Sequence, residues 1–466
     1  MHSTRCSRLA LAAACAGMLA GCALKAPPST ADLRRDALPH TPVPTNWQAT
    51  KASPAPLASA WLATFDDPAL PALVTEALNY NADLQVAAAR VEQAAGLVKI
   101  ASGSLLPTLG LTGIYSGKSG GGGGLNAAFL SAALELDVWG RLRYGRATAQ
   151  AQSGAIEADY AYARQSLAAL VVKGWFIAIE AGLQRGLADE ALRSAQELQR
   201  LAGERLRVGV GDEQAVAEAQ ANVGTYQDTV RQLEQFREQA VRALELLLGR
   251  YPGAEIAVAE HLAPVPAPVS VGVPAELLER RPDVIAADRS VAAAFNRVGE
   301  AKAAQLPRIS LTAGGSVLSS DLFLLKDRNN PAWSFGGNLF VPIYQGGTLR
   351  AQVEIRTAEQ KQAVAEYARI AQRSFGDVEN ALAAESALSD RDAILGRNIA
   401  NSERALELAQ VQYRVGNADL RVVEQRQLAL YAARASRLRV QTERLAQRTN
   451  LYLALGGSFE QDTSVP

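Results

Sequence analysis

The chain has 466 residues, and its 47 Lys plus Arg balance 47 Asp plus Glu, so no net charge recruits nucleic acid or an anionic membrane surface. Length alone would suggest about three globular domains. With three cysteines, two of them in the first 15 residues, the chain is no disulfide scaffold.

Residues 1–8, "MHSTRCSR", carry positive charge and lead into "LALAAACAGMLAG". That run falls short of the roughly 20 apolar residues a spanning helix needs. A charged start, a short apolar stretch and a small-residue exit read instead as a secretory signal over residues 1–21. The exit, Leu19-Ala20-Gly21-Cys22, resembles the lipobox of bacterial lipoproteins, which implies a diacylglyceryl group on Cys22 and a new N-terminus there. Cys6 and Cys15 would leave with the signal, so no intramolecular disulfide is possible in the mature chain. By the same resemblance Ala23, standing where retained lipoproteins commonly have aspartate, directs the protein to the outer membrane. Residues 22–64 are rich in Pro, Ser and Thr, as suits an extended tether.

Beyond the tether the chain repeats itself, which replaces the three-domain expectation with two repeats, 65–262 and 263–457, and a tail, 458–466. "NADLQVAAARVEQAAGLVKIASGSLLPTL" from Asn81 aligns without gaps to "RPDVIAADRSVAAAFNRVGEAKAAQLPRI" from Arg281. Ala87, Val91, Ala94, Val98 and Ala101 recur as Ala287, Val291, Ala294, Val298 and Ala301. Steps of four and three residues form the seam of a helix packed along another, and the small side chains let the two axes approach closely.

Pro107 and Pro307 end these helices, and each opens a stretch of alternating residues, "PTLGLTGIYS" and "PRISLTAGGSV". Two further stretches follow, "AAFLSAALELDVWG" and "PAWSFGGNLFVPIYQGG". In the first of these, Ala128, Leu130, Ala132, Leu134, Leu136 and Val138 share one parity, while Phe129, Ser131, Ala133, Glu135 and Asp137 share the other. In the second, Phe335, Leu339, Val341 and Ile343 oppose Ser334, Gly336 and Asn338. Strands of about ten residues, apolar outward and polar inward, suit a transmembrane β-barrel. Four strands cannot enclose a pore, and an open edge in lipid leaves backbone groups unpaired, so such a barrel is shared between chains.

From Arg141 to Arg207 and from Thr348 to Arg414 there is no proline, and charges fall at helical spacing. At 1.5 Å per residue each run makes a rod of about 100 Å, which belongs to a coiled assembly or a barrel of helices. Both runs end in the same way, "LRVGVGDEQAV" at Leu206 to Val216 and "YRVGNADLRVV" at Tyr413 to Val423. The grammar is helix, tight turn and returning helix. Gly209 and Gly416 also read as plain helix C-caps.

These features together resemble an outer-membrane factor of the TolC type, in its lipidated NodT branch. The resemblance is carried by "WLATFDDPALPALVTEALNYNADLQVAAARVEQA", "ELDVWGRLR", "ERRPDVIAADRS", "AKAAQLPRISLTA", "VPIYQGGTLRAQV" and the twin "RVG" turns, and runs from about Trp47 to Gly457. It implies a mainly α protein with a transmembrane β-barrel, in which a homotrimer closes twelve strands in the outer membrane and continues them as a twelve-helix periplasmic α-barrel. The function implied is the exit duct of a tripartite efflux or export system. A periplasmic adaptor, or membrane fusion protein, would couple it to an inner-membrane transporter of the RND type. Arg207, Val208, Gly209, Arg414, Val415 and Gly416 would form the periplasmic tip that meets the adaptor. Acids on the second returning helix commonly close the pore in this family, and Asp419 and Glu424 are the early acids here. Where related sequences read "VLDAQ", this one has Val423, Glu424, Gln425, Arg426 and Gln427. Asp419 also reads as a charge that stabilises a helix N-terminus.

No enzyme constellation of nucleophile, base and orienter is legible. "GIYSGKS" at Gly113 to Ser119 imitates a phosphate loop but runs into polyglycine rather than a helix. His40 and His261 lack partners at metal-ligand spacing, so neither metal nor cofactor is expected beyond the lipid on Cys22. The competing reading is a structural coiled-coil envelope lipoprotein without a pore, which leaves the four alternating strands unexplained.

Overall fold

The computed structural model describes residues 24–49, 60–115, 125–320 and 332–459. Cys22, with the signal before it, lies outside the described residues. In chain order the elements are α1 (Thr30–Ala37), a 3-10 helix (Trp61–Phe65), α2 (Ala69–Tyr80), α3 (Ala82–Gly103), β1 (Thr108–Tyr115) and β2 (Leu125–Leu136). Then come α4 (Arg141–Arg207), α5 (Glu213–Leu247), α6 (Pro274–Arg280) and α7 (Pro282–Ala303). The order ends with β3 (Arg308–Ser320), β4 (Ala332–Phe340), α8 (Thr348–Arg414) and α9 (Leu420–Ala454). The long helices begin and end where the proline-free runs do, at 67 residues each. The chain divides into two compact units, and each draws on both repeats.

The first unit takes residues 1–42, 89–159 and 285–370 and holds the sheet. The strands lie in the order β1-β2-β3-β4, antiparallel throughout. Leu111 is level with Leu130, Leu134 with Leu311, Ala313 with Phe335 and Gly315 with Trp333. Since residues level across a ladder share a face, one face collects Leu109, Leu111, Leu130, Leu134, Leu311 and Phe335, among others. The opposite face collects Thr112, Ser131, Glu135, Ser310, Thr312 and Asn338. The strands end sooner than the alternation does, at Leu136 and Phe340. Asp137 turns away to cap α4, and Pro342 has no N–H to give to a ladder.

That cap explains "ELDVWGRLR". The Asp137 carboxylate accepts the Leu142 and Arg143 amides at 3.0 and 2.9 Å, and Glu135 holds Arg141 at 2.8 Å. Trp139 donates its indole N–H to the Pro307 carbonyl at 2.8 Å. Farther along, α4 and α7 meet through glycine: a Cβ on Gly299 would stand 2.5 Å from the Tyr144 ring. The repeated small-residue stripe is buried on α7 from Ala287 to Ala301, but on α3 only Ala94 is fully buried. Val86, Leu97 and Ile100 are exposed on α3, which therefore lacks a covering neighbour within one chain.

The second unit takes 43–88, 160–284 and 371–466, and its core is aromatic. Trp61 stacks on Tyr452 with ring centroids 5.5 Å apart, and Phe65 meets Phe176 at 5.4 Å. Asp67 accepts the Trp175 indole N–H at 2.8 Å, which ties the "WLATFDD" motif to α4. By composition α4 is long and apolar enough to cross a membrane, but its apolar window is 56% buried and Leu167 to Ala181 build this core. Asn81 caps α3 by accepting the Leu84 amide at 3.0 Å. At the same place in the second repeat, buried Arg281 holds Asp283 at 2.7 Å and Asp377 at 3.1 Å, and donates to the Ala454 carbonyl. The Arg448 guanidinium, also buried, is held by Glu385 and the Ala267 carbonyl.

The stretch expected to be an extended tether is docked where it is described. Lys25 donates its amide N–H to the Tyr144 hydroxyl at 3.0 Å in the first unit, and Leu33 of α1 is buried there. In the second unit Trp47 is buried against Phe375, and Glu379 accepts the Gln48 and Ala49 amides at 2.8 Å each. Apolar residues spaced this widely among Pro, Ser and Thr produce no periodicity, so composition alone hides the docking.

Candidate functional site

The twin turns lie in the second unit, and each ends its long helix by the same hydrogen-bond pattern. Gly209 and Val210 donate to the carbonyls of Leu206 and Arg205, both at 3.0 Å. Gly416 and Asn417 donate to those of Tyr413 and Gln412, at 3.1 and 2.8 Å. Both glycines are left-handed, with φ of +78° and +82°. This is the Schellman cap, and it recurs at Gly249 and Gly456 where α5 and α9 end. Packing separates the two pairs. A Cβ on Gly249 would stand 2.5 Å from the Tyr80 carbonyl oxygen, whereas one on Gly209 or Gly416 would meet nothing within 4 Å. The twin turns are open to solvent, and their glycines serve the backbone alone.

Around them Val208, Val210 and Val415 are 60, 66 and 65% exposed, too much apolar surface for an ordinary polar turn. Arg207 and Arg414 are exposed beside them, and among the described residues neither forms an ion pair. The two turns are neighbours across a cleft of about 500 Å³ lined by these five residues and Tyr413. Arg205 closes its floor, donating to the Tyr413 carbonyl at 3.0 Å with its guanidinium 4.7 Å over the Tyr413 ring. Beneath lies an apolar cluster of Leu198, Ala202, Ala219, Ala409, Leu420 and Val423. Sequence comparison missed Arg205, although one signal was there: Tyr413 replaces Leu206 in otherwise matching turns.

The two aspartates differ. Asp212 caps α5 by accepting the Ala215 amide at 2.7 Å, while Asp419 occupies the same position on α9 without a side-chain cap bond and stays exposed. Glu424 is half-buried between α9 and α5. Burial pushes its carboxyl above the ordinary range, against a hydrogen bond from Asn222, and the Glu218 carboxylate adds to the rise. Among the described residues its Oε1 accepts no hydrogen bond, and the Tyr226 hydroxyl on α5 makes none. Among the described residues no three His, Cys, Asp or Glu side chains converge as metal ligands. Gly113 to Tyr115 of the apparent phosphate loop belong to β1, and the rest of that motif lies outside the described residues.

In the first unit the sheet shows an aromatic the alternation had not singled out. Trp333 lies on the apolar face and covers Gly315, whose Cβ position would be 2.9 Å from the indole. An aromatic at the strand end suits the girdle of a membrane barrel.

A sheet apolar across one face, joined in one chain to two helical hairpins of 67 and 35 residues, defines an outer-membrane channel with helical extensions. The outer membrane efflux protein family matches residues 73–250 and 273–457, and the chain belongs to that family. It is 30% identical over 409 residues to the cation efflux system protein CusC of Escherichia coli O6:H1, covering 86% of this chain and 88% of the relative. To the pyoverdine export outer membrane protein OpmQ of Pseudomonas putida it is 31% identical over 444 residues, 90% of this chain and 93% of the relative. Its fold superposes on the outer-membrane channel OprN with a TM-score of 0.80 at 28% identity, over 90% of this chain and 97% of that one. The protein is an efflux channel of the outer membrane.

Proposed function

We propose that three copies of the chain form one passive exit duct, coupled through a periplasmic adaptor to an inner-membrane transporter of the RND type. One observation carries this reading. The sheet has an apolar face suited to lipid, yet among the described residues the outer edges of β1 and β4 have no partner strand. Edges left open in hydrocarbon cost several kcal/mol per unpaired group, so β4 of one copy pairs with β1 of the next and twelve strands close. The exposed face of α3 joins the same contact. Arg207, Val208, Gly209, Arg414, Val415 and Gly416 dock the adaptor, and Asp419 is the acid available to line a resting aperture. Glu424, turned toward α5, acts through that helix.

The test is native mass measurement in detergent together with single-channel recording in a planar bilayer. Three copies and a steady conductance are expected. A stable monomer without conductance would return the protein to the class of coiled-coil spacers.

The lipobox-like Leu19-Ala20-Gly21-Cys22 supports a second element of the proposal, that Cys22 carries the lipid and is the only prosthetic attachment. Cys22→Ser should abolish labelling by radioactive palmitate while the barrel still inserts through its own apolar band. Labelling that persists would refute the assignment.

A further inference from the structure

The four strands, over their described residues, contain only two charged side chains, Glu135 and Arg308. Both belong to the polar face and to the same end of the sheet. Ser310 is level with Glu135 on β2 and with Asn338 on β4, and Arg308, two residues back along β3, shares that parity and is level with Phe340. The Trp139 indole fixes this end of β3 by donating to the Pro307 carbonyl at 2.8 Å. Thr112, Ser131, Thr312, Ser334 and Asn338 are typical of the rest of the face, which is uncharged.

The two charges differ in what surrounds them. Glu135 is neutralised, because its two oxygens accept from the Arg141 guanidinium at 2.9 and 2.8 Å. Asp137, just past the strand, is held by Arg143 at 3.1 Å and by two amides of α4. Arg308 is exposed and among the described residues forms no ion pair, and Phe340 beside it brings no charge. Its counterpart in the first repeat is Thr108, whose hydroxyl turns back to the Ala133 carbonyl at 3.2 Å. A short side chain therefore satisfies the fold at this position. The arginine is more than the sheet requires.

We propose that Arg308 sets the charge preference of the duct: three copies form a cationic ring in the barrel lumen, at the end where α4 and α8 begin, and favour anionic solutes. This rests on the duct reading above, which makes the polar face the lumen. Twelve strands about 4.8 Å apart and tilted by about 40° close a barrel about 24 Å across between backbones. A guanidinium projecting inward from that wall brings the axis within about one Debye length, ~8 Å at physiological ionic strength, so salt does not screen the ring from passing solute. The lipid outside has a low dielectric constant and concentrates the field in the lumen. Rings of Arg or Lys select anions in other pores for the same reason. With Glu135 already matched by Arg141, each chain leaves one net positive charge at this level of the lumen.

The test is single-channel recording of the full protein in a neutral-lipid bilayer under a potassium chloride gradient, where the reversal potential gives the chloride-to-potassium permeability ratio. Arg308→Thr, which installs the residue of the first repeat, should lower that ratio several-fold. Arg308→Glu should lower it further, and Arg308→Lys should keep it. Block by 1,3,5-benzenetricarboxylate, a trivalent anion added to both sides, supplies the second measurement. Its half-blocking concentration should rise several-fold in Arg308→Thr and stay near the wild-type value in Arg308→Lys. Native mass confirms that each variant still forms trimers. Conducting variants whose permeability ratio and block match wild type would overturn the ring and leave the duct standing. A wild type that never conducts would overturn the duct reading, and the ring with it.

Discussion

Gly209→Pro combined with Gly416→Pro should weaken coupled export while trimers still form. Proline holds φ near −65°, and these positions sit at +78° and +82°. Each also loses the amide that donates to Leu206 or Tyr413. The cost, about 3 kcal/mol by analogy with a proline in a helix, falls on turns whose glycines touch no other side chain, so the sheet and the aromatic core are spared. Even half of that cost passed on to the docking surface would weaken adaptor binding about tenfold. Adaptor pull-down and an efflux assay read the loss, and native mass reads the trimer. Arg207→Glu with Arg414→Glu should weaken capture without disturbing either cap. Asp419→Ala with Glu424→Ala should leave capture alone and raise resting conductance. If the glycine and arginine variants export normally and retain adaptor, the turns are caps and nothing more.

The largest expected loss of stability is at Arg281. Arg281→Ala leaves Asp283, Asp377 and the Ala454 carbonyl without the donor that now reaches all three at 2.7 to 3.3 Å. Stranding one partner of a buried pair costs about 3–5 kcal/mol. The half-exposed side of Asp377 recovers some of that from water, so about 3 kcal/mol is expected. Chemical denaturation followed by tryptophan fluorescence checks it, since Trp47 is buried in the cluster with Leu277, Val378 and Leu455 beside this clamp. Arg281→Lys should recover little, because an ammonium cannot bridge two carboxylates in the fork geometry of a guanidinium. A variant as stable as wild type would mean that water already carries these carboxylates.

Periodicity made much of this protein legible without coordinates. The ends of α4 and α8 were legible to within a few residues, since a run free of proline that opens after "G" or "GG" and closes at "RVG" leaves a helix few places to start or stop. The parity of β2 and β4 was equally plain, because side-chain direction along a strand has a period of two and depends on no partner. Such signals are local. Each is set by a residue's neighbours in the chain, and a duplicated sequence states them twice.

What the tertiary structure alone decided lies between the copies. That β2 pairs with β3, level at Leu134 and Leu311, joins strands from different repeats and brings four apolar parities to one face. No local period specifies that register. The Arg205 contact with Tyr413 and the Glu218 charge that acts on Glu424 are of the same kind, each joining residues about 200 positions apart. They also break the repeat, as Gln412 stands at the place of Arg205 in the second copy and Gln425 at that of Glu218. Gly209 and Gly249 look alike in sequence, and only the Tyr80 carbonyl packed against one of them separates a glycine required by sterics from one required by its turn. By itself the sequence determined the long helices, the parity of the strands and the twin turns, because backbone preference is a nearest-neighbour property. Which buried charge meets which partner was decided by packing, because desolvation and Coulomb energy depend on distances that only the folded chain sets.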